Sequence, residues 1–337
     1  MLNDEVNLHS TFLVQYSIFP DLCAAMPSTT PTTRGQKAVS NWILIGVIML
    51  LIQVVLGGVT RLTGSGLSIT KWEVELHAVP PLSERDWMEH FDAYRNTAQF
   101  QHLNSNFTLQ DFKFIFFWEW LHRNWGQAIA LVFIVGFIYL LRKKYLKREM
   151  IRPLIILFLL GASQAGVGWK MVLSGLTGDA VYVQPTKLAL HFIFAMALIV
   201  YAFWFALQLR IADSERVKSQ NLQSWSGWLI AVVLIQLTFG ALMAGHRAAT
   251  AAPTWPDING SIVPASAWKA EEGLLNLIDN KITIHFIHRT LAYLILVLVI
   301  FYTVKIFRYS TTSRTFKKAA RMPLLLVSIQ VILGILS

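Results

Sequence analysis

Three ionisable residues interrupt an apolar run in the stretch WEWLHRNWGQ, Trp118 to Gln127: Glu119, His122 and Arg123. Such groups at membrane depth are costly and mark proton, ion or cofactor sites. The His-Arg pair recurs as His288 and Arg289 in HFIHRTLAY, 166 positions later, with His285 where Glu119 stands. A third apolar segment, LALHFIFA, supplies His191. Neutral imidazole is a good iron ligand, and two of them facing across a helical bundle are the usual axial pair of a haem. The other reading of each histidine is a hydrogen-bonded contact between helices. Duplication at matched spacing, with a third histidine where a partner is needed, favours haem ligation. The single cysteine, Cys23, lies in the leader, which argues against a thiolate ligand.

Glu119 breaks the symmetry. It lies one turn before His122 on the same helix face. An acid beside only one of two haems suggests that the N-terminal half does chemistry while the C-terminal half stores or relays electrons. Delivering protons to the reacting centre is one task for such a carboxyl; pairing with an adjacent arginine is the other. Arg123 and Arg289 suit haem propionates, since guanidinium grips carboxylates bidentately, or else they snorkel to the interface. The stretch TRLTGSGLS, Thr60 to Ser68, follows a membrane segment and so is no nucleotide cradle. It reads as a tight cap over the first bundle, with Arg61 near the depth of Arg123.

These residues must be held by membrane helices. The chain of 337 residues is 55% hydrophobic and 14% charged, with a mean hydropathy of +0.50. Soluble domains are nearer a quarter charged. The net charge of +10 reports topology rather than a nucleic-acid partner, because the basic residues cluster between apolar runs. Spans of about 20 residues are expected near 41–60, 114–141, 152–173, 187–209, 226–246 and 282–307, with a seventh from Met322. Residues 1–40 read as a polar leader, with Met1 or Met26 as its start. The basic loops, KKYLKR among them, place the N-terminus in the cytoplasm and the histidines toward the outer face. Between them lie longer mixed loops carrying His77, His90 and His102, without ligand-like spacing.

An internal repeat organises the spans. Gln-x-x-x-Gly occurs in every odd one: Gln53/Gly57, Gln164/Gly168, Gln236/Gly240 and Gln330/Gly334. On a helix the two residues share a face; the glycine allows close approach and the amide can bond across helices. The repeat implies an all-α polytopic membrane protein of two pseudo-symmetric four-helix bundles, residues 41–210 and 211–337. The counterpart of His191 would fall at 357, so an eighth helix with one more histidine is expected beyond Ser337 and is missing from this chain.

The motifs GGVTRLTGSGLSITKW, PPLSERDW, FKFIFFWEWLHRNWGQ, ALHFIFA, GALMAGHRAATAAPTWPDINGSIVP and HFIHRTLAY resemble those of the haem A synthase family, over nearly all of residues 41–337. That resemblance implies two four-helix bundles that oxidise the C8 methyl group of haem O to formyl, by successive hydroxylations and loss of water. The product serves haem-copper oxidases. It further implies a substrate-haem site of Glu119, His122 and His191, and a resident haem b on His288. Haem O synthase and a membrane electron donor are implied partners, a homo-oligomer is possible on this reading, and the place is the bacterial inner membrane. Many bacterial members carry a cysteine pair in the first outer loop; this chain has none there, so it resembles the cysteine-lacking branch. The rival readings from the residues are a bis-histidine membrane cytochrome b that only carries electrons, and a haem transporter or chaperone.

Overall fold

The computed structural model describes residues 33–70, 79–212, 215–309 and 314–336. His9, Cys23, His77 and both candidate starts lie outside the described residues. The helices are α1 (Arg34–Leu62), α2 (Glu84–Arg95), α3 (Ala98–Leu103), α4 (Leu109–Arg142), α5 (Arg148–Leu173), α6 (Pro185–Arg210), α7 (Gln220–His246), α8 (Lys281–Arg308), α9 (Arg314–Ala319) and α10 (Met322–Leu336). Seven stretches among the described residues are long and apolar enough to cross a membrane, the last running Phe316–Leu336. The chain is an integral membrane protein, all-α among the described residues. Its spans run past the apolar runs because polar residues cap them. Thr33 accepts from the Gln36 N–H while the Gln36 side chain accepts from the Thr33 N–H, so residues 34–40, read above as leader, are the first turns of α1. Thr108 and Asp111 close α4 in the same way. Large apolar side chains such as Ile48, Val55, Leu131 and Phe301 remain exposed, as lipid-facing helices require.

Five spans carry an arginine at one end, Arg34, Arg142, Arg148, Arg210 and Arg308, and in α4, α6 and α8 the histidines His122, His191 and His288 lie toward the other end. α1 packs on α4 and α6, α5 on α6, α6 on α7, α7 on α8 and α8 on α10. The tight apolar core sits toward the basic end, where Val39, Ile43, Leu140, Met150, Leu154, Phe205 and Leu209 interlock. There the Ser40 hydroxyl donates to the Ala206 carbonyl, 2.9 Å away. The Trp42 indole donates to the Val132 carbonyl and stacks on Phe133. It lies where a Cβ on Gly136 would be, 2.0 Å from its Nε1, so only glycine lets α1 and α4 close on each other.

At the histidine end the first long loop folds into two helices that the hydropathy pattern passes over. Trp87, Phe91 and Tyr94 of α2 pack on Phe112 and Phe116, the opening turns of α4. The buried Gln99 of α3 ties the layer together: its amide donates to the Gly64 and Val181 carbonyls and its Oε1 accepts from the Tyr94 hydroxyl. The connections after α1 and after α5 are thereby held by one side chain.

Candidate functional site

Each of the first three Gln-x-x-x-Gly pairs receives one histidine from the partner helix. Gln53 Nε2 of α1 lies 3.1 Å from His122 Nε2 of α4 and also donates to the His122 carbonyl. Gln164 of α5 stands 3.4 Å from His191 Nε2 of α6, and Gln236 of α7 stands 3.4 Å from His288 Nε2 of α8. The glycine one turn on forms the seat of the ring. A Cβ on Gly57, Gly168 or Gly240 would come within 3.0, 2.7 or 2.9 Å of the Cε1 of His122, His191 or His288 respectively. In α10 Gln330 is exposed, and among the described residues a Cβ on Gly334 would have no atom within 4 Å. The imidazoles of His122 and His191 are near enough to interact electrostatically, so α4 and α6 bring the two predicted ligands of the N-terminal half together.

Glu119 is 2% exposed and held by three donors. Its Oε2 accepts from the Ser68 hydroxyl at 2.7 Å and the Ile69 N–H at 2.8 Å, and its Oε1 pairs with Arg123 at 2.5 Å. Arg123 also donates to the Ile69 carbonyl. The pairing weighed as an alternative from sequence is therefore present, and it anchors the loop after α1 to α4. In the second half Arg289 does the equivalent work, donating to the Asp257 and Ala252 carbonyls of the loop after α7. Both arginines expected at haem propionates thus grip loop backbone. Arg61 donates to the Ala244 carbonyl and so ties α1 to α7. His285, the counterpart of Glu119, is buried with no partner for Nδ1. The sequence reading took Thr60 to Ser68 as a cap without the contact of Ser68 to Glu119, and it passed over Ile69; the signal available was only that a polar loop had to close against a buried acid.

The donor set fits a haem. Buried polar atoms are nearly always hydrogen-bonded, and exceptions ask for an explanation. Among the described residues, nine buried side-chain atoms lack a partner, and six are Nδ1 of His122, His191 and His288 with Oε1 of Gln53, Gln164 and Gln236. Three chemically identical clusters of this kind are a repeated polar design in an apolar bundle. Among the described residues no three His, Cys, Asp or Glu side chains converge as a metal cage would need. One or two imidazoles per bundle are what a macrocycle that brings its own four ring nitrogens requires.

The chain matches the family model COX15-CtaA, cytochrome oxidase assembly protein, over residues 40–337. It is similar to a protein named "Heme A synthase" of Bradyrhizobium sp. (strain ORS 278), 37% identical over 311 residues, covering 91% of this chain and 85% of the relative. The protein of that name from Flavobacterium johnsoniae is 37% identical over 306 residues, 90% of this chain and 89% of the relative. That of Cereibacter sphaeroides (strain ATCC 17025) is 35% identical over 330 residues, 93% and 84%. No solved structure matches.

Proposed function

The chain belongs to the COX15-CtaA family of cytochrome oxidase assembly proteins, and from that premise we propose that it makes haem A from haem O. The reaction is an oxidation of the C8 methyl group of haem O to a formyl group, by successive hydroxylations and loss of water. The chain is on this reading an oxidoreductase of haem A biosynthesis, acting in a bacterial inner membrane. The basic helix ends face the cytoplasm and the histidine ends the outer side.

The observation that carries the reading is the asymmetry between otherwise matched halves: Glu119 precedes His122 where His285 precedes His288. His122 and His191 hold the substrate haem beside that acid. His288 ligates a resident haem b, which supplies one-electron redox chemistry. Arg61, Arg123 and Arg289 contribute the positive charge that haem propionates need. Glu119 must give up one of its three bonds to pass a proton. Two of the donors keep a second acceptor, Arg123 on the Ile69 carbonyl and Ser68 on the Ile115 carbonyl. Haem O synthase as source, a membrane electron donor and a homo-oligomer are the implied partners. The rival reading, a bis-histidine cytochrome b that only carries electrons, leaves the acid only its anchoring task and is not favoured by the relatives.

The test is expression of the chain in cells that lack haem A but make haem O, with extracted haems identified by mass. Formyl haem is expected from the wild type and not from Glu119→Gln, whose second-half haem is retained. Bound haem b with haem O left unconverted by the wild type would turn the conclusion to the electron carrier.

A further inference from the structure

Three spans end around one groove at the seam between the halves: α6 begins at Pro185, α7 stops at His246 and α8 begins at Lys281. They run 26, 27 and 28 residues. At about 1.5 Å per residue that matches a bilayer with its headgroups, so these ends lie at headgroup depth. The groove has a volume of about 790 Å³. Lys187, Arg247 and Lys281 line it against one acid, the exposed Asp179. Among the described residues none of these four has an ion pair, although Lys187 is half-buried. His246, also in the lining, is engaged elsewhere: its Nε2 lies 2.6 Å from the Ile278 carbonyl and 3.9 Å from Asp279.

Arg247 is the residue held in place for this groove. It closes α7 with φ +53°, the left-handed conformation that glycine adopts freely and a long side chain does not. Its guanidinium lies over the Tyr182 ring, 3.9 Å from the centroid. Stacking uses the face of the group and leaves its N–H donors free in the plane. Arg61, already bonded to the Ala244 carbonyl, is near enough to repel it. Cations gathered with so little acid are stabilised by an anion among them.

We propose that the groove binds the phosphate of an anionic phospholipid, held by Lys187 from the N-terminal half and by Arg247 and Lys281 from the C-terminal half. A phosphodiester offers one negative charge and acceptor oxygens for the guanidinium edge and the two ammonium groups. Depth selects a lipid as its source. The exposed Leu190, one turn below Lys187, gives the acyl chains an apolar surface to follow. A lipid so held bridges the halves beside the contact of Gly245 with Pro185. The site stands independently of the haem reading.

The full chain, purified in a neutral detergent and freed of lipid, is titrated with phosphatidylglycerol or phosphatidylcholine, and bound lipid is counted by native mass spectrometry. One phosphatidylglycerol should bind ahead of all others. Phosphatidylcholine, whose choline cancels the phosphate charge, should show no such first site. Arg247→Gly and Lys187→Gln should each weaken the first binding about fivefold, and about 25-fold together, the attraction of one cation being lost with each. Arg247→Gly keeps a residue suited to the left-handed cap, so its Tm should not fall. Arg85→Gln, which removes an exposed cation of α2 outside the groove, should change neither readout. Equal binding of the two lipids by the wild type, or unaltered phosphatidylglycerol binding in the double variant, would overturn the inference. Displacement of the lipid by inorganic phosphate would make the groove a free-anion site. Displacement by haem b would give it to haem carboxylates, and either result overturns the lipid assignment.

Discussion

Glu119 shows how one residue acts as both anchor and candidate acid. The Ser68 hydroxyl and the Ile69 N–H converge on a single carboxylate oxygen, from a loop 50 residues away in sequence. A hydrogen bond to a charged group contributes about 1.5–3 kcal/mol. Ser68→Ala should therefore loosen this loop without unfolding the spans, seen as faster amide exchange at Ile69 while exchange in the core of α4 is unchanged. In the second half the equivalent loop has its own electrostatic fastener. The Asp257 carboxyl is held below its ordinary range by the Thr254 hydroxyl first, then by the Gly260 N–H and the nearby Arg289. A depressed carboxyl contributes stability above the unfolded-state value, about 3.9, and that contribution is lost as pH falls through the folded value. Protection of residues 254–260 should thus fade on acidification below that range, and Asp257→Asn should remove the pH dependence. Amide exchange as a function of pH decides it.

At the level of elements, close approach between helices is bought at a few glycines. Trp42 occupies the space above Gly136, so Gly136→Ala must displace an indole that is both hydrogen-bonded and stacked. Overpacking of this kind typically costs about 1–3 kcal/mol. Thermal unfolding in detergent should show that loss for Gly136→Ala. Adding Trp42→Leu should recover part of it, which a purely helix-propensity effect would not allow. The spans, their order and the Gln-x-x-x-Gly repeat were legible from sequence because lipid demands long apolar runs and because the repeat is local in sequence. The helices of the first loop were not. α2 is polar overall and its apolar residues Trp87, Phe91 and Tyr94 find their core only on α4. Its signal was present in the Ser83 cap and the spacing of those aromatics. Arg123 was legible as a partner of Glu119 one turn away, but its loop partners Ser68 and Ile69, like the partner of Arg61, were not: each depends on a contact between segments that only the packed bundle brings together.

For the whole molecule, the question is how two halves become one enzyme. Arg61 reaches Ala244, and these positions are equivalent in the repeat, separated by the same 183 residues as Gln53 and Gln236. The halves therefore meet at corresponding points of α1 and α7, while α6 packs on α1, α5 and α7 and so belongs to both sides of the seam. Beside this tie, a Cβ on Gly245 would come 2.8 Å from the Cα of Pro185, backbone that cannot rotate away. His191 hangs from the same helix α6 that Pro185 begins, and His288 packs against α7, which carries Gly245. Gly245 thus sits at the contact between α6, which carries His191, and α7, which packs against His288. Gly245→Val should force α6 and α7 apart at the histidine end and cost about 1–3 kcal/mol of stability. If electrons pass from the C-terminal haem to the substrate site across this seam, haem A yield should fall while both halves still bind haem. Equal losses of haem and product would place the effect within one half. An unchanged yield at full haem content would mean that electrons reach the substrate by a path that does not cross the seam.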